Sequence, residues 1–301
     1  LSLNLFDQDL SVEDKEIYLN DFSEKLNKDI NLESFDVIHS HYWLSGLVGK
    51  QIANQFNKPL VYTSHSLGIF LDGYNKERVD CEKIIMSSSV AVTTSSKFEE
   101  NMISENYKID LTKMQQITPG VDTEIFTPNA ATKRENIFLS IGRIQEQKGQ
   151  IEIIKFLDNF RKIEKNFLCY FIGGPSGKYG NEYLEELKKI VIDLNLESHV
   201  EFLDNLPQSK IKELLNKSKL LIHASKLETF GLVAVEANAM GVPVLTTNNG
   251  SLLDIVENNK NGFYSDNLID GNVNNFVKDL LSNSKKFNEI MSNCLDYAKR
   301  Y

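Results

Sequence analysis

Cysteine is scarce in this 301-residue chain: Cys81, Cys169 and Cys294 are scattered, with no C-x-x-C spacing. That excludes a disulfide framework and a cysteine zinc site, and it fits a reducing, cytoplasmic compartment. Positive charge is also short, with 33 Lys and Arg against 42 Asp and Glu and a formal net charge of −9. A nucleic-acid binder needs a basic field, so no nucleic-acid partner is expected, though a local basic pocket is still allowed. No apolar run reaches the length of a membrane span, and no strongly basic amphipathic face marks a membrane-surface helix. Stable membrane insertion is therefore not expected. The chain opens Leu1-Ser-Leu-Asn-Leu-Phe-Asp7, with neither a basic start nor an initiator Met. A fragment is expected on that ground, and residues 286–301, helical with no stop signal, carry the same expectation at the other end. G-x-S-x-G, G-x-G-x-x-G and P-loop patterns are missing, which disfavours a serine hydrolase. There is no internal repeat and no low-complexity tract.

What is present is a globular composition, 41% hydrophobic and 25% charged, in a chain long enough for two domains. Apolar periodicity predicts strands at 35–41, 60–65, 90–94 and 114–118, alternating with helices at 12–27, 44–56, 76–86 and 96–106. Pro119-Gly120 breaks the pattern. Residues 127–135 are polar and aperiodic and read as a linker. The alternation restarts with strands at 137–141, 167–172, 200–203, 220–224, 244–246 and 262–264. Helices are predicted at 150–162, 182–194, 208–218 and 232–240, with 273–283 and 286–301 closing the chain. Such alternation implies parallel sheets with right-handed crossovers. The expected fold class is α/β: two doubly wound Rossmann-like domains facing a cleft, over 1–130 and 136–301, the first of them incomplete.

The densest chemistry lies in Lys226-Leu-Glu-Thr-Phe-Gly-Leu-Val-Ala-Val-Glu236. Glu228 and Glu236 flank Phe230-Gly231, where the strand 220–224 gives way to the helix 232–240. In an open α/β sheet, polar groups at a strand's carboxyl end and the next helix's free N–H groups build an anion site. By spacing alone, a helix capped by Glu228 and Thr229 with a solvated Glu236 is an equal alternative. Gly142-Arg143 follows the strand 137–141, and Lys148-Gly149 precedes the next helix. Isolated loop cations are usually solvated, but this pair beside the 228–231 helix start points to a bound diphosphate. His39 and His41 share a strand face, yet a metal site needs a third ligand and none stands out, so no metal is expected. His41 and His65 sit at carboxyl edges and are candidate substrate contacts. His39 reads as a satisfied core histidine, and His199 and His223 as ordinary structural ones. Tyr42 and Trp43 read as packing, and Phe171-Ile-Gly-Gly-Pro-Ser-Gly177 as a tight turn.

Five stretches together resemble the retaining GT-B glycosyltransferases of glycosyltransferase family 4, also called glycosyl transferases group 1. They are Asp36-Val-Ile-His-Ser-His-Tyr-Trp-Leu-Ser-Gly46, Thr63-Ser-His-Ser-Leu67, Ile117-Thr-Pro-Gly-Val-Asp-Thr-Glu-Ile-Phe126, Ser140-Ile-Gly-Arg-Ile144 with Lys148-Gly149, and Glu228-Thr-Phe-Gly-Leu-Val-Ala-Val-Glu236. The first stretch and the Gly-Gly-Pro-Ser-Gly turn look closest to the branch of the mycothiol-pathway glycosyltransferase and sucrose-phosphate synthase. The resemblance implies transfer of a sugar from a nucleoside-diphosphate sugar, with a UDP-sugar favoured, to the hydroxyl of a small-molecule acceptor. It implies no cofactor beyond that co-substrate. By resemblance, Arg143 and Lys148 bind the diphosphate and Glu236 the ribose, while Glu228 lies near the transferred sugar. Gly142 belongs to the same loop motif, the backbone of Phe230, Gly231 and Leu232 surrounds sugar and phosphate, and His65 approaches the reacting sugar. The branch implies a phosphorylated sugar or inositol as acceptor, which the cations Lys76 and Arg78 would suit; a solvated helix start is the preferred explanation of the two. Asn249-Gly-Ser-Leu-Leu-Asp254 departs from the family's Gly-Gly-x-x-Glu loop. A nucleotide-sugar-binding fragment without activity, and an epimerase or phosphorylase on the same fold, are the alternatives.

Overall fold

The computed structural model describes residues 18–70 and 75–301. The opening segment and the first part of the expected helix 12–27 lie outside the described residues. The chain divides into two compact units, Leu1–Thr118 and Pro119–Tyr301.

The first unit holds a parallel sheet in the order β1 (Ile38–His41), β2 (Leu60–Thr63), β3 (Ala91–Thr94), β4 (Met114–Gln116). Register runs Ile38 to Leu60, Val61 to Ala91 and Val92 to Met114. α1 (Leu19–Asp29) precedes β1, and α2 (Trp43–Phe56), α3 (Lys76–Ser88) and α4 (Lys97–Met102) run between the strands, close to the predicted spans. Trp43, Tyr62, Leu67, Ile85, Met86, Val92 and Tyr107 form the core. Asn75 caps α3 through its side chain, which accepts from the Arg78 N–H at 3.1 Å. Arg78 itself is not a solvated rim cation. It is 5% exposed and paired with Glu82, one turn on, at 2.8 Å. An i,i+4 pair usually lies on a helix surface, and here the same spacing turns inward.

The second unit is built on a six-stranded parallel sheet in the order β10-β9-β8-β5-β6-β7. Its strands are β5 (Ile137–Ile141), β6 (Leu168–Ile172), β7 (Val200–Leu203), β8 (Leu220–His223), β9 (Val244–Thr247) and β10 (Gly262–Ser265). The helices are α5 (Gln150–Phe160), α6 (Gly180–Asp193), α7 (Gln208–Lys217), α8 (Leu232–Ala239), the short α9 (Leu252–Ile255), α10 (Gly271–Ser282) and α11 (Ser284–Ala298). Strands buried on both faces read as continuous apolar runs, and period-2 alternation sends their side chains into two cores. Phe138, Leu220 and Ile222 join one, with Phe156, Phe160 and Leu187. Ile137, Leu139, Leu221 and Val244 join the other, with Ala234 and Val235. Strand order turns back between β5 and β8, which is where open α/β sheets bind ligands.

Residues 127–135 do not behave as a linker. The units divide before Pro119, and this segment is bonded to the second unit. Phe126 is buried in its core, and Asn216 Nδ2 donates to Thr132 Oγ1 at 2.7 Å. The Arg134 guanidinium donates to the carbonyls of Leu215 at 2.7 Å and Ser218 at 2.9 Å, and also to that of Met240. Those carbonyls end α7 and α8, where the helix has no partner of its own to offer. Arg134→Ala is expected to destabilise the protein by about 2–3 kcal/mol, the range for hydrogen bonds from a charged donor to buried acceptors. Arg134→Lys should recover only part of that. Urea unfolding followed by circular dichroism checks it, and an unchanged midpoint for the alanine variant counts against this capping role.

Candidate active site

Two loops at the switch point carry the predicted residues of the second unit. The loop after β5 holds Gly142, Arg143 and a 3-10 turn, Glu146–Lys148. Gly149 follows at φ 66, and a Cβ there would come within 2.0 Å of the Ala224 carbonyl oxygen. Only glycine lets the loop close this tightly on the end of β8. Hydrogen bonds then join the two loops: the Lys226 N–H donates to the Gln147 carbonyl at 2.8 Å, and Ser225 Oγ to the same oxygen at 3.2 Å. The loop after β9 closes the third side. Ser251 donates its N–H and Oγ to the Glu228 carbonyl at 3.2 and 2.9 Å. The departure from the family's loop pattern therefore still leaves a loop that grips Glu228.

The loops bring Lys148 and Glu228 together, with Lys148 Nζ 2.7 Å from Glu228 Oε2. A second donor was missed in the sequence. His223, the last residue of β8, is buried, and its Nε2 lies 3.0 Å from the same Oε2. Burial pushes the Glu228 carboxyl up, but hydrogen bonding and charge from His223, with Lys148 behind them, outweigh it and hold the carboxyl at about 2. The signal available in the sequence was position: His223 ends its strand at a carboxyl edge. Glu236, one turn into α8, is half-buried without an ion pair among the described residues, and burial raises its pKa. Arg143 is exposed and likewise has no ion-pair partner among the described residues. Gly231 starts α8 at φ 92, where a Cβ would meet Leu252 Cδ2 at 2.5 Å, and no side chain caps the helix. Phe230 is buried with its ring 5.6 Å from that of Tyr301, while Leu232 is exposed.

The first unit gathers His39, His41 and His65. His41 Nδ1 lies 2.8 Å from His65 Nε2, and the rings stack at 5.1 Å. His39 is not a core residue. It is exposed, 2.9 Å from Thr63 Oγ1, with its ring 4.2 Å from that of His41. Burial first and neighbouring imidazoles second lower the pKa values of His39 and His65, with Glu99 opposing at His65. His65 has φ 57, unusual for a residue with a side chain. Both its neighbours are tied down: Ser64 Oγ donates to Glu99, and Ser66 Oγ accepts from Arg78 Nη2 at 2.9 Å. Arg78 also donates to Tyr42 OH at 3.2 Å, so Tyr42 is more than packing. Among the described residues, no three His, Cys, Asp or Glu side chains cluster to hold a metal ion, and no helix is long and apolar enough to cross a membrane.

Residues 121–299 match the family described as Glycosyl transferases group 1, and residues 9–125 match Glycosyltransferase Family 4. A D-inositol 3-phosphate glycosyltransferase of Acidothermus cellulolyticus is 30% identical, covering 79% of this chain and 56% of its own. Another, from Corynebacterium jeikeium, is 32% identical over 79% of this chain and 61% of its own. The chain thus spans about three fifths of the length of the curated relatives it matches. Among solved structures, a sucrose-phosphate synthase from Thermosynechococcus elongatus superposes with TM-score 0.85 at 24% identity, over 97% of this chain and 75% of that one. Anabaena HepE in complex with UDP and glucose gives TM-score 0.81 at 20% identity, over 94% and 76%. At these identities the structural likeness establishes the fold, α/β units of the GT-B kind.

The depressed Glu228 pKa fixes the sign of an acid effect. Its stabilising contribution is complete above the ordinary value of 4.5 and is lost as pH falls towards about 2. Glu228→Gln should therefore remove part of the acid sensitivity. From pH 5 to pH 3 the wild type should lose roughly 2 kcal/mol more stability than the variant, the scale of one to two pKa units. Urea midpoints of both proteins across that range decide it, and parallel curves would show that Glu228 is not held ionised.

Proposed function

We propose, from the premise that the chain belongs to the glycosyl transferases group 1, that it moves a sugar from a nucleoside-diphosphate sugar to an acceptor hydroxyl. The observation that carries this reading is the union of Arg143 and Lys148 after β5 with Glu228 and Gly231 after β8, at the sheet's switch point, sealed by the 2.7 Å Lys148–Glu228 contact. Cations and a helix N-terminus suit the diphosphate, while a carboxylate held ionised suits a hydroxyl donor and repels phosphate. Arg143, Lys148 and the amino end of α8 then stabilise the charge that develops on the departing diphosphate. Glu228 accepts from a hydroxyl of the transferred sugar, and half-buried Glu236 accepts from the ribose hydroxyls. In this reading Glu228 binds the sugar and forms no covalent bond to it, and the acceptor oxygen attacks from the face the diphosphate leaves, with retention.

A UDP-sugar is the favoured donor, and HepE, of the same fold, is known in complex with UDP and glucose. A soluble phosphorylated acceptor is the favoured partner, supported by the relatives named for D-inositol 3-phosphate. The first unit supplies the acceptor side, with His65 assigned to the reacting sugar by its motif. The reaction is assigned to the cytoplasm and to Arg143 and Lys148 in place of a divalent cation.

Calorimetry with this chain tests the donor assignment. UDP should bind, and Arg143→Ala should weaken it by about tenfold or more, the scale of a charge-assisted phosphate contact, while uridine is unaffected. No UDP binding by a folded sample would sink the reading. In the full-length protein, transfer from UDP-glucose or UDP-N-acetylglucosamine into sugar phosphates or inositol phosphate should persist in EDTA and give a product of retained anomeric configuration by NMR. Loss of activity in EDTA that added metal restores would overturn the metal-free assignment.

A further inference from the structure

His223 touches the proposed donor site yet has no part in the reading above. It closes β8, where its backbone is fixed by pairing with Thr246 of β9, and its side chain is 7% exposed. Its Nε2 stands 3.0 Å from Glu228 Oε2, and Lys148 Nζ reaches the same oxygen at 2.7 Å. The backbone beside it is fixed as well, because Ser251 holds the Glu228 carbonyl with two donors. Glu228 Oε1 has no hydrogen-bond partner among the described residues. A free glutamate side chain rotates about three bonds and offers either oxygen. Here one oxygen is taken twice, by donors on two different rigid elements, and the other is left whole.

We propose that His223 is a positioning residue: with Lys148 it locks Oε2 of Glu228, so that Oε1 is presented to a hydroxyl of the donor's sugar. This rests on the nucleotide-sugar reading. A neutral imidazole suffices, since it needs only to donate Nε2–H. Lys148 alone does not fix the carboxylate, because its long stem swings and its charge is shared with whatever anion binds nearby. The imidazole is short, buried and anchored in the sheet, so it sets the orientation that the lysine then follows. His223 therefore acts on the sugar end of the donor and not on the nucleotide end.

The test uses this chain, titrated with UDP, UDP-glucose and UDP-N-acetylglucosamine, as wild type, His223→Leu and His223→Gln. Glutamine carries an N–H donor at nearly the same reach as Nε2, whereas leucine fills the space without one. In the leucine variant, affinity for the tighter UDP-sugar should fall by about tenfold, the scale of one hydrogen bond to a charged group, while UDP affinity stays within about twofold. The glutamine variant should recover most of the loss, and circular dichroism should show all three proteins equally folded. A merely structural histidine predicts something different: equal loss for UDP and UDP-sugar, with no rescue by glutamine. That outcome, or no loss at all, overturns the proposal while leaving the donor assignment standing. A folded wild type that binds neither UDP nor a UDP-sugar overturns both.

Discussion

The second unit depends on how closely two loops approach at the turning point of its sheet. Gly149 lies against the Ala224 carbonyl, so the loop after β5 cannot move away from the end of β8 without breaking the Gln147 bonds to Ser225 and Lys226. Lys148 and Glu228 are eighty positions apart in sequence and meet only through this closure. Their contact stabilises ionised Glu228, because hydrogen bonding and charge outweigh the cost of its burial, and removing one partner would leave the other uncompensated. The pair also supplies placement, a fixed carboxylate beside a fixed cation.

Charge is therefore unevenly shared at this edge. Glu228 offsets Lys148, and Arg143 is left as an exposed cation without an ion pair among the described residues. The amino end of α8 adds roughly half a positive charge. In a chain of net charge −9, a local positive field of this size is selective: an anion is repelled by most of the surface and attracted here. Glu236 lies a turn deeper along α8, past the reach of the helix dipole, and its raised pKa reflects burial without a cation to offset it. The edge thus passes from cationic to carboxylate within one helix. An elongated ligand with an anionic centre and hydroxyl-bearing ends matches that order.

Much of this was legible from sequence because it follows from period and position. Strands covered on both faces read as apolar runs, and residues just after them fall at the carboxyl edge whatever the details of packing. Arg143, Lys148, Glu228 and His65 are placed after the ends of their strands by that reasoning alone. The misses share another cause. Arg78 and Glu82 have the spacing of a solvated surface pair, and periodicity cannot see that the rest of α3 turns them inward. Residues 127–135 are polar, and polarity predicts exposure, yet Arg134 spends its donors on helix-end carbonyls that are invisible to composition. His223 sits in Leu220-Leu-Ile-His223, where an apolar context points to a core role; its partner is supplied by a loop whose path the sequence does not state. His39 reads as a satisfied core histidine, yet its side chain is exposed, and among the described residues β1 has a neighbouring strand on one side only.

The first unit shows the same logic carried by buried charge. His65 occupies the left-handed region, a conformation that costs on the order of 1 kcal/mol or more and persists only where surroundings over-determine it. They do so here from both sides. Glu99, buried at the start of α4, holds Ser64 and Ser95, and its own N–H is capped by Ser96. Arg78, buried on α3 and neutralised by Glu82, holds Ser66. Apolar side chains of the same volume would pack there at lower desolvation cost, but they have no hydrogen bonds with which to fix the residues on either side of a strained histidine. Glu82 in turn accepts from the Gly68 N–H and from Tyr107, which extends the constraint to the far end of the same loop. The pose of His65 against His41 is therefore set by residues that never touch either ring. Conservative-looking changes at Arg78 or Glu99 would act on the histidine pair before they acted on the core.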